Sequence, residues 1–535
     1  MSFKYFDLHI HPVFKTLFKN EKNQISGWEN IEVPDRIMGN CFDSQSSLRM
    51  VFNKGNVNLL CVGKHAPEKG MVYNLATRLA AGMPGYENFM EKSRLKKLFK
   101  SLTDYQKVHS EEMYHLLYEA IPSDQRNFKI KPLTQNMHDY DPNDFNTLHL
   151  VFNVEGAHMF YEKRNEDTRL DEMLRIFNDY RQEHLLLYVT VAHLTPNVFS
   201  NHADGNKIFP NEKTWPSKRG ISAFGERLIK EIYDQHVLVD IKHMSWVARE
   251  DLYKLRQRNG WEQIPLIASH AALTGFSVDE RQDYILKNDG IKRAKKVFKV
   301  RYNKKKGIIS GTMFNPNSIN LYDDDVVQIL KSNGLLGINI DKRILGASET
   351  ITGGIKTNEN EFISIEETED WFGAIPPTSQ IFADYNRYTR KRKFVPDKED
   401  INESEEEFYE LFPMTHKGKK KIKRKLPRSR EERHLKFFCN QLLKLKQIAD
   451  ENAAELPGIN VWDHVCMGAD FDGLISTIHC CLNITEVENF AKMIEDNLQT
   501  YADDAGIQLG MRVPDIVEKI FFKNGFDFLV NHFGT

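Results

Sequence analysis

The chain has 535 residues, well beyond an average domain, and its 41% hydrophobic and 11% aromatic content is enough for a large buried core. Its 73 basic and 75 acidic residues leave a formal net charge of -2, so nothing in the overall balance asks for a nucleic-acid or membrane partner. The six cysteines (Cys41, Cys61, Cys439, Cys466, Cys480 and Cys481) form no C-x-x-C pair and no framework spacing, which excludes a disulfide scaffold and fits a reduced compartment.

The first residues, MSFKYFDLHIHP, run directly into a polar, histidine-bearing strand without the apolar core of a secretory signal. No later stretch reaches about 18 consecutive apolar residues, so a soluble, cytoplasmic protein is expected. Short apolar, β-branched runs that end in polar residues then alternate with helical patterns, as parallel strands of an α/β protein do. Strands are predicted at 5–11, 57–63, 148–155, 186–193, 237–243, 265–270, 335–340 and 464–470, and six of the eight end on His, Glu or Asp. In a (β/α)8 TIM barrel the C-terminal strand ends meet at one mouth, where side chains from many strands can surround a substrate. That coincidence argues for one barrel domain over residues 1–535.

Three connections are oversized: 64–147, 282–334 and 342–430. The first holds charged, helix-like sequence at 104–120. The last passes from an acidic stretch at 397–410 to the basic run KGKKKIKRK at 417–425, read as a solvated insertion because no interleaved aromatics suggest base stacking. A helix is expected next, since Leu435, Phe438, Leu442, Leu445 and Ala449 recur at the spacing of one apolar face.

Chemistry starts at Asp7-Leu8-His9-Ile10-His11. His9 and His11, two apart on a strand, point to the same side and can bind one metal ion, while Leu8 and Ile10 would face the helix layer. Alone, H-x-H is a weak signal. Its context is Glu155, His243, His270 and Asp470, each at the C-terminal end of an apolar strand. Neutral imidazoles with a carboxylate suit Zn²⁺ and tolerate Mn²⁺, Fe²⁺ or Co²⁺. Glu155 could bridge two ions, with His9 and His11 on one side and His243 and His270 on the other. Two ions roughly 3.5–4 Å apart can acidify a shared water and aim the hydroxide at a polarised carbonyl. Asp470 would then accept the proton and pass it to the leaving amine.

The segments Val154-Glu155-Gly156-Ala157-His158, Val239-Asp240-Ile241-Lys242-His243, Ser269-His270 and Gly468-Ala469-Asp470-Phe471-Asp472-Gly473 resemble, in this order, the renal or membrane dipeptidase family (peptidase M19) of the amidohydrolase superfamily. The resemblance implies a TIM barrel with a binuclear zinc site, Glu155 as bridging ligand and His243 and His270 as terminal ligands. It further implies that His193 contacts the substrate or polarises its carbonyl, and that Arg281 grips a substrate carboxylate. The expected activity is hydrolysis of a small amide such as a dipeptide. Two positions depart from the family: its first strand carries H-x-D where this chain has His11, and its seventh ends in Asn-Phe-Tyr where this chain has Asn339-Ile340-Asp341. H-x-H also occurs in deaminases, lactonases and cyclic amidases, which form the competing enzyme reading. A barrel scaffold without catalysis is the remaining alternative, and the full set of competent ligand residues argues against it.

Overall fold

The computed structural model describes residues 3–18, 27–32, 41–53, 57–68, 105–117, 128–161, 169–205, 214–291, 297–349, 355–373 and 429–534. The acidic stretch at 397–410 and the basic run at 417–425 lie outside the described residues. Strands β1 (Leu59–Lys64), β3 (Thr147–Glu155), β4 (Leu186–Thr190), β5 (Leu238–Asp240), β6 (Leu266–Ala271), β9 (Leu335–Ile338) and β11 (Val465–Met467) are parallel neighbours in that spatial order. A short β2 (Lys129–Pro132) pairs with the start of β3.

The N-terminal segment closes this sheet. Ile10 bridges in parallel to Val62 on one side and Phe471 on the other. Leu8 N–H donates to Met467 O, His11 N–H to Phe471 O and Gly63 N–H to Ile10 O, all at 2.9 Å. With residues 7–11 as the eighth stave, the expected (β/α)8 barrel is present, and no edge of the parallel sheet is left open there.

Alternation along each strand separates two apolar layers. Leu59 and Cys61 of β1, Val151 of β3, Leu238 of β5 and Cys466 of β11 join a small cluster inside the barrel. Their neighbours Leu60, Val62, Leu150, Phe152, Val239 and Val465 join the large cluster facing the helices. Ile10 joins the outer layer as expected, whereas Leu8 packs with the inner cluster. The chain bends at Leu8 and His9, which breaks the two-residue alternation on which that expectation rested.

The helices follow ordinary capping rules. Ser222 accepts from Gly225 N–H to open helix Ala223–Asp234, and Ser245 accepts from Ala248 N–H to open helix Trp246–Asn259. The latter ends at Gly260, whose φ of 68° a side chain would resist. In the first long connection, helix Tyr105–Leu117 occupies the expected stretch. Helix Ser429–Glu451 carries Leu435, Phe438, Leu442 and Leu445 on its buried face. The connections also hold an unexpected three-stranded antiparallel sheet, in which β8 (Val297–Asn303) lies between β7 (Ile285–Ile291) and β10 (Asn358–Ser364). All six cysteines are free and buried. No described helix is long and apolar enough to cross a membrane.

Candidate metal centre

Six imidazoles form a closed ring around the carboxylate of Glu155 at the mouth of the barrel. Following the staves, centroid separations are 4.8 Å from His9 to His11, 5.9 Å to His65, 4.6 Å to His193, 4.6 Å to His243, 5.0 Å to His270 and 4.0 Å back to His9. Glu155 ends β3 and reaches the middle of the ring. Its Oε1 lies 3.3 Å from His9 Nε2, 3.3 Å from His193 Nε2 and 3.5 Å from both His243 Nε2 and His270 Nε2. Its Oε2 lies 3.3 Å from His11 Nε2. Asp470, after β11, brings Oδ1 to 3.7 Å from His11 Nε2 and 4.0 Å from His9 Nε2.

Surrounding groups decide which nitrogen each ring presents. Tyr188 OH donates to Leu8 O at 2.9 Å, so it accepts from His9 Nδ1 at 2.7 Å and leaves the His9 Nε2 lone pair facing inward. Ser269 Oγ donates to Asp240 at 2.6 Å and therefore accepts from His270 Nδ1 at 2.8 Å, with the same result for His270. His193 Nδ1 bonds Glu68 Oε1. Two of the delivering residues sit in left-handed backbone, His243 at φ 66° and Asp470 at φ 60°, a strained geometry concentrated where strand ends turn into the mouth. Gly63 is required beside them, because a Cβ there would collide with the His11 imidazole.

The electrostatics favour ligand forms at His9, His65, His243, His270 and Glu155, and the protonated form at His193 and Asp470. Burial outweighs Glu155 and lowers the His9 pKa to about 4, and burial also takes His65, His243 and His270 well below the ordinary histidine value. Burial would raise Glu155, yet His193 and His9 hold it well below the usual carboxylate range. Burial would likewise lower His193, but Glu155 and Glu68 more than offset it and carry the pKa up to about 10. Asp470 is pushed well above its ordinary value by burial, then by Glu155 and Asp341. Neutral imidazole lone pairs, an ionised carboxylate at their centre and a second carboxylate alongside form a donor set that fits divalent metal. Three groups each bring ligand atoms within 4.8 Å of one another: His9, Glu155 and His270; His9, His11 and Asp470; His65, Glu155 and His193.

The structure thus gathers His9, His11, Glu155, His193, His243, His270 and Asp470 at one mouth, all but His9 lining a cavity there. It does not bring Arg281 there. That guanidinium lies 4.2 Å from the Trp246 ring centroid and 4.6 Å from that of Trp371, donates to Trp371 O at 3.1 Å, and is 4% exposed. Arg281 is not among the cavity-lining residues, whereas Lys242 is. The carboxylate grip expected of Arg281 therefore has no counterpart among the cavity-lining residues: a helical turn, Arg281–Tyr284, sets its side chain beside Trp246 and Trp371, with Nε and Nη1 buried and unpartnered. Two residues escaped the sequence reading. His65 follows β1, which runs to Lys64 rather than stopping at Gly63, so the rule that an apolar strand delivers a ligand at its end applied here as well. Glu68 carries no comparable signal, since it meets His193 only through the fold.

Residues 89–292 match the profile of the family described as membrane dipeptidase (Peptidase family M19). The chain is a dipeptidase-like metal-dependent hydrolase. The matched region contains Glu155, His193, His243 and His270, and the barrel joins to them His9, His11 and Asp470 from outside it. No curated protein matches this dipeptidase-like chain. Similar solved structures include a metallo peptidase from Rhodobacter sphaeroides liganded with a phosphinate mimic of the dipeptide L-Ala-D-Ala, 14% identical over 99% of each chain with a TM-score of 0.49. Another is the dipeptidase AC, a metallo peptidase of family M19, 13% identical over 100% of each chain with a TM-score of 0.46. The probable dipeptidase PvdM from Pseudomonas aeruginosa is 14% identical over 99% of this chain and 94% of its own, with a TM-score of 0.45.

Proposed function

We propose that this protein hydrolyses a small amide, such as a dipeptide or an N-acyl amino acid, at a centre of two divalent ions, with zinc as the default. One observation carries the reading: the imidazoles of five barrel staves converge on the Glu155 carboxylate inside a cavity. His9 and His11 would hold one ion, His243 and His270 the other, and Glu155 would bridge them. Bound there, the metal supplies Lewis-acid polarisation of a carbonyl and an acidified water.

The protein's own groups would do the rest. Asp470 Oδ1 stands where it can take a proton from the attacking water and return it to the leaving amine. Bound cations would lower its raised pKa towards the ionised form that this role needs. His193 lines the cavity and is the residue for which the family resemblance implies a substrate contact. Lys242, buried on the same wall with a pKa lowered to about 8 by burial, takes over from Arg281 as the cation available to a substrate carboxylate. A cytoplasmic location, inferred from cysteine usage, completes the proposal.

His11, where the dipeptidases carry aspartate, favours lactone hydrolysis, cyclic-amide hydrolysis or deamination as the second reading. The test is to load the purified chain with Zn²⁺ or Mn²⁺ and assay L-L and L-D dipeptides, N-acyl amino acids, lactones and deaminase substrates, with Asp470→Asn as control. Amide turnover abolished in the control sustains the reading. Turnover of lactones or amines alone, or none by either protein, overturns it.

A further inference from the structure

Outside the barrel mouth, the loop after β9, the loop after β11 and the first turns of helix Ser429–Glu451 bring together bases that the metal centre does not use. Arg430 and Arg433 of the helix both meet the carboxylate of Glu349, with Arg430 Nη2 at 3.3 Å from Oε2. Lys342 stands close to Arg430: burial lowers its pKa, and the Arg343 and Arg430 guanidiniums lower it further. Its neighbour Asp341 is engaged through both oxygens by Arg343. Three cations, Lys342, Arg430 and Arg433, thus face the single carboxylate of Glu349.

The decisive group is His434, one turn after Arg430 and fully buried. Its Nδ1 accepts from His479 N–H at 3.0 Å, so the ring proton sits on Nε2. That donor has no partner, since Glu349 Oε1, at 4.0 Å, is beyond hydrogen-bond reach. A solvated patch of charge leaves its donors in water, whereas a buried donor without an acceptor is costly and rare. His479 stacks on His434 with centroids 4.9 Å apart. Burial, then the surrounding bases, lower His434 to about 2 and His479 to about 4, as an excess of positive charge requires.

We propose that Lys342, Arg430, Arg433 and His434 form a binding site for a tetrahedral dianion of the phosphate type on the outer rim of the barrel, separate from the metal centre. A dianion matches the excess of positive charge, whereas a carboxylate would leave part of it uncompensated. Arg430 and Arg433 are 34% and 28% exposed, so an anion can reach them from solvent. Glu349 holds the same two guanidiniums and competes with the incoming ligand. Asp341, the residue before Lys342, lines the metal cavity, so the two sites share a loop without sharing a residue.

Isothermal titration of the full chain with inorganic phosphate, and separately with glycerol 3-phosphate, tests this without any assay of turnover. The chain is metal-stripped so that phosphate on bound zinc is not counted. One equivalent is expected for the wild type. Lys342→Gln and Arg430→Gln, both at partly exposed positions, should weaken it about 10–100-fold, the weight of one hydrogen bond to a charged group. Glu349→Gln should tighten it, and Arg258→Gln, at an exposed ion pair elsewhere, should leave it unchanged. Binding of both ligands assigns the site to phosphate esters, and binding of inorganic phosphate alone to the free anion. No saturable binding of either, or binding that Lys342→Gln and Arg430→Gln leave unchanged, overturns the proposal while leaving the metal centre standing.

Discussion

At the scale of single residues, Glu155 does what no neighbour can replace: it is the negative charge on which the ring converges. Glu155→Gln keeps the shape and removes that charge, so metal content of the purified protein should fall to background while the fold is retained. Asp470→Asn should instead leave metal bound and lower kcat by about 10²–10⁴-fold, the usual worth of a proton carrier; unchanged turnover would remove Asp470 from the mechanism. His11→Asp restores the carboxylate that the dipeptidases carry and should preserve metal binding. Gly63→Ala should not, because the new methyl group occupies the space of the His11 ring; retention of full metal content by this variant would contradict the packing described for β1.

At the scale of elements, Glu155 ends β3 and His270 lies within β6, but other site residues stand just beyond the hydrogen-bonded strands. β4 ends at Thr190, β5 at Asp240 and β11 at Met467, while His193, His243 and Asp470 lie three residues further on. The apolar runs revealed the strands, but the turn of each end into the mouth depends on contacts with other staves, which periodicity does not contain. For the same reason the antiparallel sheet of β7, β8 and β10 was not legible: β8 and β10 are separated in sequence and pair only in the folded chain. Arg281 shows the limit of position-by-position transfer, since its number fits the family pattern and its side chain is stacked between Trp246 and Trp371. Arg281→Ala should therefore cost about 2 kcal/mol or more of stability with little change in KM. A large rise in KM at unchanged Tm would restore the role in substrate binding.

At the scale of the whole molecule, the barrel buries many histidines in neutral form, and this ties stability to pH. In the metal-stripped protein, burial lowers His9, His184, His202 and His479 to about 4 and His434 to about 2. The unfolded chain binds more protons across that range, so their stabilisation is present above about pH 6.5 and lost as pH falls through the folded values. Asp7, raised by burial to about 6, and Glu367, raised by burial to about 7, oppose this trend, as do the buried carboxyls of Glu112, Asp240 and Asp470, but they are fewer than the lowered histidines. His193, held up to about 10, contributes stability below about pH 6.5 that is lost as pH rises towards 10. Tm of the metal-stripped protein should therefore rise from pH 4 to about 6.5 and decline above it; a steady fall from pH 4 upward would contradict the neutral state of the buried histidines. The barrel class and six of the residues gathered at its mouth could be read from the strands, and His193 from the family resemblance, whereas the closed ring, with His65 and Glu68, required the staves to be brought together. A metal centre built on Glu155 can be seen by crystallography of the Zn²⁺-loaded chain at the zinc absorption edge. Anomalous peaks about 2.0–2.2 Å from Glu155 oxygens and from His9 and His243 Nε2 are predicted; bound zinc elsewhere, with none at Glu155, would contradict the account.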